Sequence, residues 1–189
     1  MSYFPLYLKI KDKKILLIGG GKIALQKLKA LLPFSKNITV IAPEIKYNNY
    51  LLIKEHNLPY FQRAYQKGDI EGFDIVIVAS DDEKLQEAIF YESRGKNILV
   101  NCVDNIKFCD FIFPSIIKRG DITITISTNG ASPALSKGLR EFIESFLPED
   151  LENFVTLLKQ MRQELPKGNE RMEKFKKVVE QYFKKKAHL

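Results

Sequence analysis

The chain has 189 residues, 45% of them hydrophobic and 28% charged, with a formal net charge of +7. That length holds one sizeable domain with an appendage and buries a core without disulfide or metal staples. The composition is that of an ordinary globular protein, no apolar run is long enough to span a membrane, and the N-terminal MSYFPLYLKIKDKK lacks the apolar core of a secretory signal.

KILLIG, residues 14–19, reads as a strand. Residues 22–33 carry apolar side chains at 23, 24, 28, 31 and 32, a helical stripe, and Pro33 helps to end the helix. ITVIAP (38–43) is a second strand, followed by a helix near 46–57 and a short strand near 58–61. FDIVIVAS (73–80) is apolar almost throughout, the mark of a strand buried on both faces. A helix over 81–95 follows, with Asp81 or Asp82 placed to cap it and Gly95 to stop it. NILVNCVD (97–104) is a fifth strand. Strands alternating with helices predict parallel βαβ units in a doubly wound α/β sheet. The pattern then changes. Residues 111–128 hold two strand-like pieces around Lys118-Arg119-Gly120-Asp121, and Ile122, Ile124 and Ile126 alternate with Thr123, Thr125 and Ser127. A helix over 132–148 starts with Ser132 as cap and Pro133 in its first turn. From 149 onward the chain reads as helical, with a break near 166–169.

Gly19-Gly20-Gly21-Lys22-Ile23-Ala24 fits the G-x-G-x-x-G/A pattern of dinucleotide sites. The first glycine permits a tight turn, the second lets backbone approach a pyrophosphate, and Ala24 keeps the helix close to its strand. The helix start near Lys22 and Ile23 offers free N–H groups to that anion. An acid at the end of the second strand would bind the ribose; that strand ends Ala42-Pro43-Glu44, so Glu44 stands slightly late. Glu44, or the backbone of 43–44, serves the ribose, or Glu44 is only an acid near a helix start. No arginine is placed there for a 2′-phosphate, which favours NAD over NADP. Ser80, at a strand end on the same side, either touches the cofactor or caps the next helix. A P-loop is excluded, because neither Ser nor Thr follows Lys22.

Conventional catalytic groups are scarce. His56 and His188 have no triad partners. Cys102 and Cys109, with six residues between them, match no zinc spacing and read as free thiols of a reducing cytoplasm. Asp104 ends the fifth strand, on the ligand side of such sheets, where it is either a general base or a turn residue with Asn105. The lysine-rich stretch EKFKKVVEQYFKKKAHL is either a solvated helical face or an attractor of polyanions. No RNA motif or zinc finger is present, so nucleic acid is not an expected partner.

The segments PLYLKIKDKKILLIGGGKIALQK, VIVASDDEKLQEAI and LVNCVDN…CDFIFPSIIKRGDITITISTNGASPALSKGLREFIESFLP resemble the precorrin-2 dehydrogenase family, from about Phe4 to Pro148. Its most specific marks are Asn101-Cys102-Val103-Asp104, the block Phe111–Ile116 and the block Ile126–Pro133. The resemblance implies NAD-dependent oxidation of precorrin-2, a carboxylate-rich tetrapyrrole, to sirohydrochlorin in sirohaem synthesis. In some members the same site then inserts Fe²⁺. The family aspartate falls on Asp104, as general base and as helper in pyrrole deprotonation. Nucleotide contacts fall on Lys22, Ile23, Pro43 and Glu44, beside Gly19, Gly21, Ala24 and Ser80. Asn101 and the turn Thr128-Asn129-Gly130 stand on the substrate side, although that turn is equally well a plain connector. Bifunctional relatives often carry Ser-Ser-Gly-Gly where this chain has Ser127-Thr128-Asn129-Gly130. The implied architecture is a Rossmann-type domain over 1–112, a small α+β dimerisation segment over 113–147 and a helical domain over 148–189, in an intertwined cytoplasmic homodimer whose cleft holds the tetrapyrrole. No fused methyltransferase domain is expected, so precorrin-2 would come from a separate enzyme. The alternative is a nucleotide-sensing module without catalysis, which would place an acid at Ala42 and need no carboxylate at 104.

Overall fold

The computed structural model describes residues 3–186, so His188 lies outside the described residues. The chain forms two compact units that part between Phe113 and Pro114.

The first unit is a five-stranded parallel sheet. Its strands are β1 (Ile15–Ile18), β2 (Ile38–Ile41), β3 (Tyr60–Phe61), β4 (Ile75–Val78) and β5 (Leu99–Cys102), in the order β3-β2-β1-β4-β5. β1 lies in register between β2 and β4, with Ile15 facing Ile38 and Ile75. Every residue of β1 and of β4 is buried, as their unbroken apolar sequence requires. Alternate residues feed two cores. Ile15, Leu17, Ile75 and Ile77 pack with Ala24, Leu28 and Leu31 of α1 (Lys22–Leu31) and Ile53 of α2 (Tyr47–Glu55). Leu16, Ile18, Val76, Val78 and Val100 pack with Ile89 of α3 (Glu83–Ser93). Each fully buried Leu or Ile contributes about 1.5–3 kcal/mol relative to exposure. Helices on both faces and a reversal of strand order beside β1 make this the doubly wound α/β fold, with its ligand crevice at the carboxyl ends of β1 and β4. Asp82 caps α3, accepting from the Lys84 and Leu85 N–H groups, and Gly95 leaves the helix at φ +78°.

The second unit starts with an antiparallel hairpin of β6 (Ser115–Arg119) and β7 (Ile122–Ile126), which pairs Ser115 with Ile126 and Arg119 with Ile122 around the turn at Gly120. Three helices follow: α4 (Pro133–Phe146), α5 (Leu151–Glu164) and α6 (Asn169–Lys186). Ser132 caps α4 through the Leu135 N–H, with Pro133 opening the helix. α6 is tied to α5 by Tyr182, which stacks on Phe154 at 3.8 Å and donates to Asp150 at 2.8 Å. No helix of the described residues is long and apolar enough to cross a membrane.

Candidate functional site

The loop from β1 to α1 is built so that only glycine fits its first two positions. Gly19 has φ +124°, and a Cβ there would lie 2.4 Å from the Ala79 carbonyl oxygen. A Cβ on Gly20 would lie 2.1 Å from the Glu44 carbonyl oxygen. The middle residue of the motif is therefore as constrained as the first, because the turn after β2 is packed against it. Gly21 differs: a Cβ there would meet nothing within 4 Å. It is the N-cap of α1, no side chain caps that helix, and no acid stands in its first turn. The first hydrogen bond back to the cap is Leu25 N–H to the Gly21 carbonyl, so the N–H groups of Lys22, Ile23 and Ala24 precede the helical ladder. Open space, uncapped donors and the positive end of the helix dipole together fit the pyrophosphate of a dinucleotide. Ala24 is fully buried between helix and sheet.

The loop is held from behind by a residue that the motif does not contain. Asn49, buried on α2, donates through Nδ2 to the carbonyls of Gly20 at 2.8 Å and Gly21 at 3.0 Å. The Lys46 N–H reaches the Gly20 carbonyl as well, at 3.0 Å. With their carbonyls bonded toward α2, the glycines turn their other side to the crevice. Pro43 and Glu44 are exposed in the turn after β2, beside this loop. Glu44 does not enter the first turn of α2, which holds no acid. Ala42 is buried.

The ends of β4 and β5 form the other wall. Ser80 follows β4, and its Oγ accepts from the Asp82 N–H at 3.3 Å, a short turn ahead of the α3 cap. Gln86, buried on α3, donates to the carbonyls of Ser80 at 2.7 Å and Val103 at 3.1 Å. One amide thus fixes both strand ends. Asp104 follows in a left-handed conformation, φ +59°, with its side chain exposed. Such a backbone is uncommon outside glycine, though aspartate tolerates it better than most residues, and strained positions of this kind concentrate at functional sites. Cys109 pins the segment that carries it. Its sulfur accepts from the Cys102 N–H at 3.2 Å and lies 3.0 Å from the Cys102 carbonyl and 3.3 Å from that of Asn105. Asp110 anchors the same segment, accepting from the Val100 N–H at 2.8 Å and binding Arg94 through both oxygens at 2.8 and 2.7 Å. Asn101 is buried, and its Nδ2 donates to the Phe111 carbonyl at 2.8 Å. Among the described residues its Oδ1 has no hydrogen-bond partner.

Both cysteines are free. Burial pushes the Cys102 thiol up to about 12, and burial also raises that of Cys109. No group of three or more potential metal ligands occurs among the described residues. His56 forms the C-cap of α2. In the second unit the Thr128 hydroxyl accepts from the Ser132 N–H at 3.1 Å and lies 3.1 Å from the Ser136 hydroxyl. Asn129 and Gly130 follow at φ +50° and +84°. Ten of the residues singled out from the sequence, from Gly19 to Asp104, thus belong to the first unit, and Thr128, Asn129 and Gly130 to the second. Asn49, Gln86 and Cys109 were missed. Asn49 reaches backbone 28 and 29 residues away, Gln86 bridges two strand ends and Cys109 folds back on the turn it closes, and no motif announces any of these contacts.

Comparison with known proteins points the same way. A family model described as NAD(P)-binding matches residues 6–115, and one described as the central part of a sirohaem biosynthesis protein matches residues 119–145. The siroheme synthase of Psychrobacter arcticus is 36% identical over 162 residues, 86% of this chain and 30% of the relative. That of Photorhabdus laumondii is 33% identical over 183 residues, 97% of this chain and 39% of the relative. The chain therefore spans between three and four tenths of the length of these curated relatives. Among solved structures, SirC, a precorrin-2 dehydrogenase, superposes with a TM-score of 0.75 at 25% identity, covering 91% of this chain and 86% of that one.

Proposed function

The chain belongs to the NAD(P)-binding family matched over residues 6–115, and from that premise we propose that it oxidises precorrin-2 to sirohydrochlorin with NAD⁺ in sirohaem synthesis. The observation that carries this reading is the likeness to SirC over nearly the whole of both chains, joined to a carboxylate at the carboxyl end of β5. In this reading the N–H groups of Lys22, Ile23 and Ala24 hold the pyrophosphate, Gly19 makes the tight turn before it, Gly21 leaves it room, and Pro43, Glu44 and Ser80 border the rest of the dinucleotide. Bound there, NAD⁺ supplies the hydride acceptor. The oxidation also releases a proton, and Asp104 takes it; an exposed carboxylate on a pinned turn is free to reach a substrate and accept it. Asn101 supports the substrate side by holding the segment after Asp104, and Thr128, Asn129 and Gly130 present backbone to a substrate carboxylate. Fe²⁺ insertion is the further activity of the same site, with Fe²⁺ as substrate and Asp104 helping to remove the pyrrole protons.

We place the dinucleotide domain at 1–112, a dimerisation segment at 113–147 and a helical domain at 148–189, in a cytoplasmic homodimer. The apolar stripe on α4 supports the dimer. Leu135, Leu139, Phe142 and Phe146 lie along one helix face and are 54, 38, 61 and 69% exposed.

The test is anaerobic. Protein, precorrin-2 and NAD⁺ are mixed, NADH is followed, and Fe²⁺ or Co²⁺ is then added while the tetrapyrrole spectrum is recorded. Wild type is expected to form NADH and Asp104→Ala to lose most of that rate. Wild type that binds NAD⁺ and forms no NADH would leave a nucleotide-binding module without this chemistry.

A further inference from the structure

Lys27 is on α1, one turn beyond the residues offered to the dinucleotide. Side chains on a helix lean toward its N-terminus, so Lys27 reaches back toward the carboxyl ends of the strands. Its ammonium lies 4.0 Å from the centre of the Phe113 ring. Phe113 is itself packed on Phe111 and against the α1 core. Among the described residues no carboxylate comes within ion-pairing distance of Lys27. The other lysines of α1, Lys22 and Lys29, are exposed, whereas Lys27 is half-buried. Burial draws the ammonium of Lys27 below the usual lysine value, while Cys109 and Asp104 act on it in the opposite direction. A partly buried cation over an aromatic face, with no ion-pair partner among the described residues, is incompletely compensated.

The position decides which anion it serves. The pyrophosphate belongs at the start of α1, beside the end of β1. Lys27 instead lies over Phe113, which packs on Phe111, and the Phe111 carbonyl is held by Asn101 of β5, the strand that leads to Asp104. We propose that Lys27 is a substrate-binding residue whose ammonium takes a carboxylate of the tetrapyrrole on the Asp104 side of the crevice. The assignment rests on the function proposed above. It also gives this lysine a purpose that dinucleotide binding does not. A carboxylate fixed there would set the macrocycle edge against Asp104, and a flat Phe113 under the ammonium would hold the lysine in place before the substrate arrives.

The experiment is an anaerobic titration of the full chain with sirohydrochlorin, read by its absorbance, for wild type, Lys27→Arg and Lys27→Met. NAD⁺ affinity is measured by calorimetry on the same three proteins. Methionine keeps an unbranched apolar stem over Phe113, so the fold is spared while the charge is removed. Lys27→Met is expected to bind sirohydrochlorin about ten- to a hundredfold more weakly, with less dependence on salt. Lys27→Arg keeps most of the affinity, and NAD⁺ binding stays as in wild type for both. Unchanged sirohydrochlorin affinity in Lys27→Met overturns the assignment. So does a loss of NAD⁺ affinity, which would place the anion on the cofactor, or an arginine variant as weak as the methionine one, which would make the role one of shape. Wild type that binds no sirohydrochlorin would remove the functional reading itself, and this assignment with it.

Discussion

At the scale of single residues, the dinucleotide loop depends on Asn49 as much as on its glycines. Asn49 is buried, and its one amide nitrogen serves two carbonyls of the loop. Leucine there would fill similar space and donate nothing. The Gly20 and Gly21 carbonyls would keep the Lys46 and Leu25 N–H groups as partners, so the loss is partial, about 1–3 kcal/mol. Asn49→Leu is therefore expected to melt a few degrees lower and to bind NAD⁺ about tenfold more weakly, by calorimetry. The cysteines allow a second check at this scale. Cys102 is buried among apolar groups with its thiol pushed up to about 12, and Cys109 is bonded to backbone on three sides. The thiolate is the reactive form, so neither sulfur is activated. A thiol reagent at pH 8 is expected to label the folded protein slowly and to titrate both thiols at once after denaturation. Fast labelling of the native protein would show the segment 103–110 to be looser than this bonding implies.

At the scale of elements, α4 is the helix on which the proposed homodimer rests. Its exposed face carries Leu135, Leu139, Phe142 and Phe146, while Lys137, Arg140, Glu141 and Glu144 pair among themselves. Phe142 and Phe146 touch edge to face at 4.8 Å. Because both are exposed, Phe142→Glu has little to disturb within one chain. If the proposed homodimer forms through this face, the variant is expected to sediment as a monomer where wild type sediments as a dimer; wild type and variant sedimenting alike would remove the α4 interface. The elements were also the level most legible in the sequence. β1 and β4 announced themselves as unbroken apolar runs, and Ser132-Pro133 marked the start of α4, because capping and burial on both faces leave local signatures. Gly19 was legible as the glycine of a tight turn, and its φ of +124° is the left-handed conformation such a turn needs. The need for glycine at Gly20 was not legible, since it arises only when the turn after β2 folds against it. Lys27 was hidden in an ordinary amphipathic pattern, and only the return of Phe113 over α1 singles it out.

At the scale of the whole molecule, its response to acid follows from aspartates distributed over both units. In the first unit, Arg63 holds Asp69 below the usual carboxylate range, and Lys13 does the same for Asp74. Burial pushes the Asp110 carboxyl up, but the bonds from Arg94 and the Val100 N–H outweigh it and the net direction is down. In the second unit, Lys159 lowers Asp121, and Lys186 with Tyr182 lowers Asp150. Each group has a folded value below its unfolded one. Its contribution is therefore present above the unfolded value, about 3.9 for aspartate, and is lost as pH falls through the folded value. Lowering the pH also adds to a net charge that is already +7, so self-repulsion works in the same direction. The melting temperature is expected to be nearly flat between about pH 8 and 5 and to fall steeply below about 4. Asp110 is the member of the set that matters to the site, since it fastens the segment behind Asp104 to β5. Asp110→Asn keeps the shape but loses the charge that faces Arg94, which is expected to cost about 1–2 kcal/mol near neutrality, discounted for the partial exposure of that arginine. The variant should then melt lower than wild type at pH 7 and converge on it as the pH drops below 4, because protonation removes the same charge from the wild type. Curves that stay parallel down to low pH would show that the Asp110–Arg94 pair does not contribute through its charge.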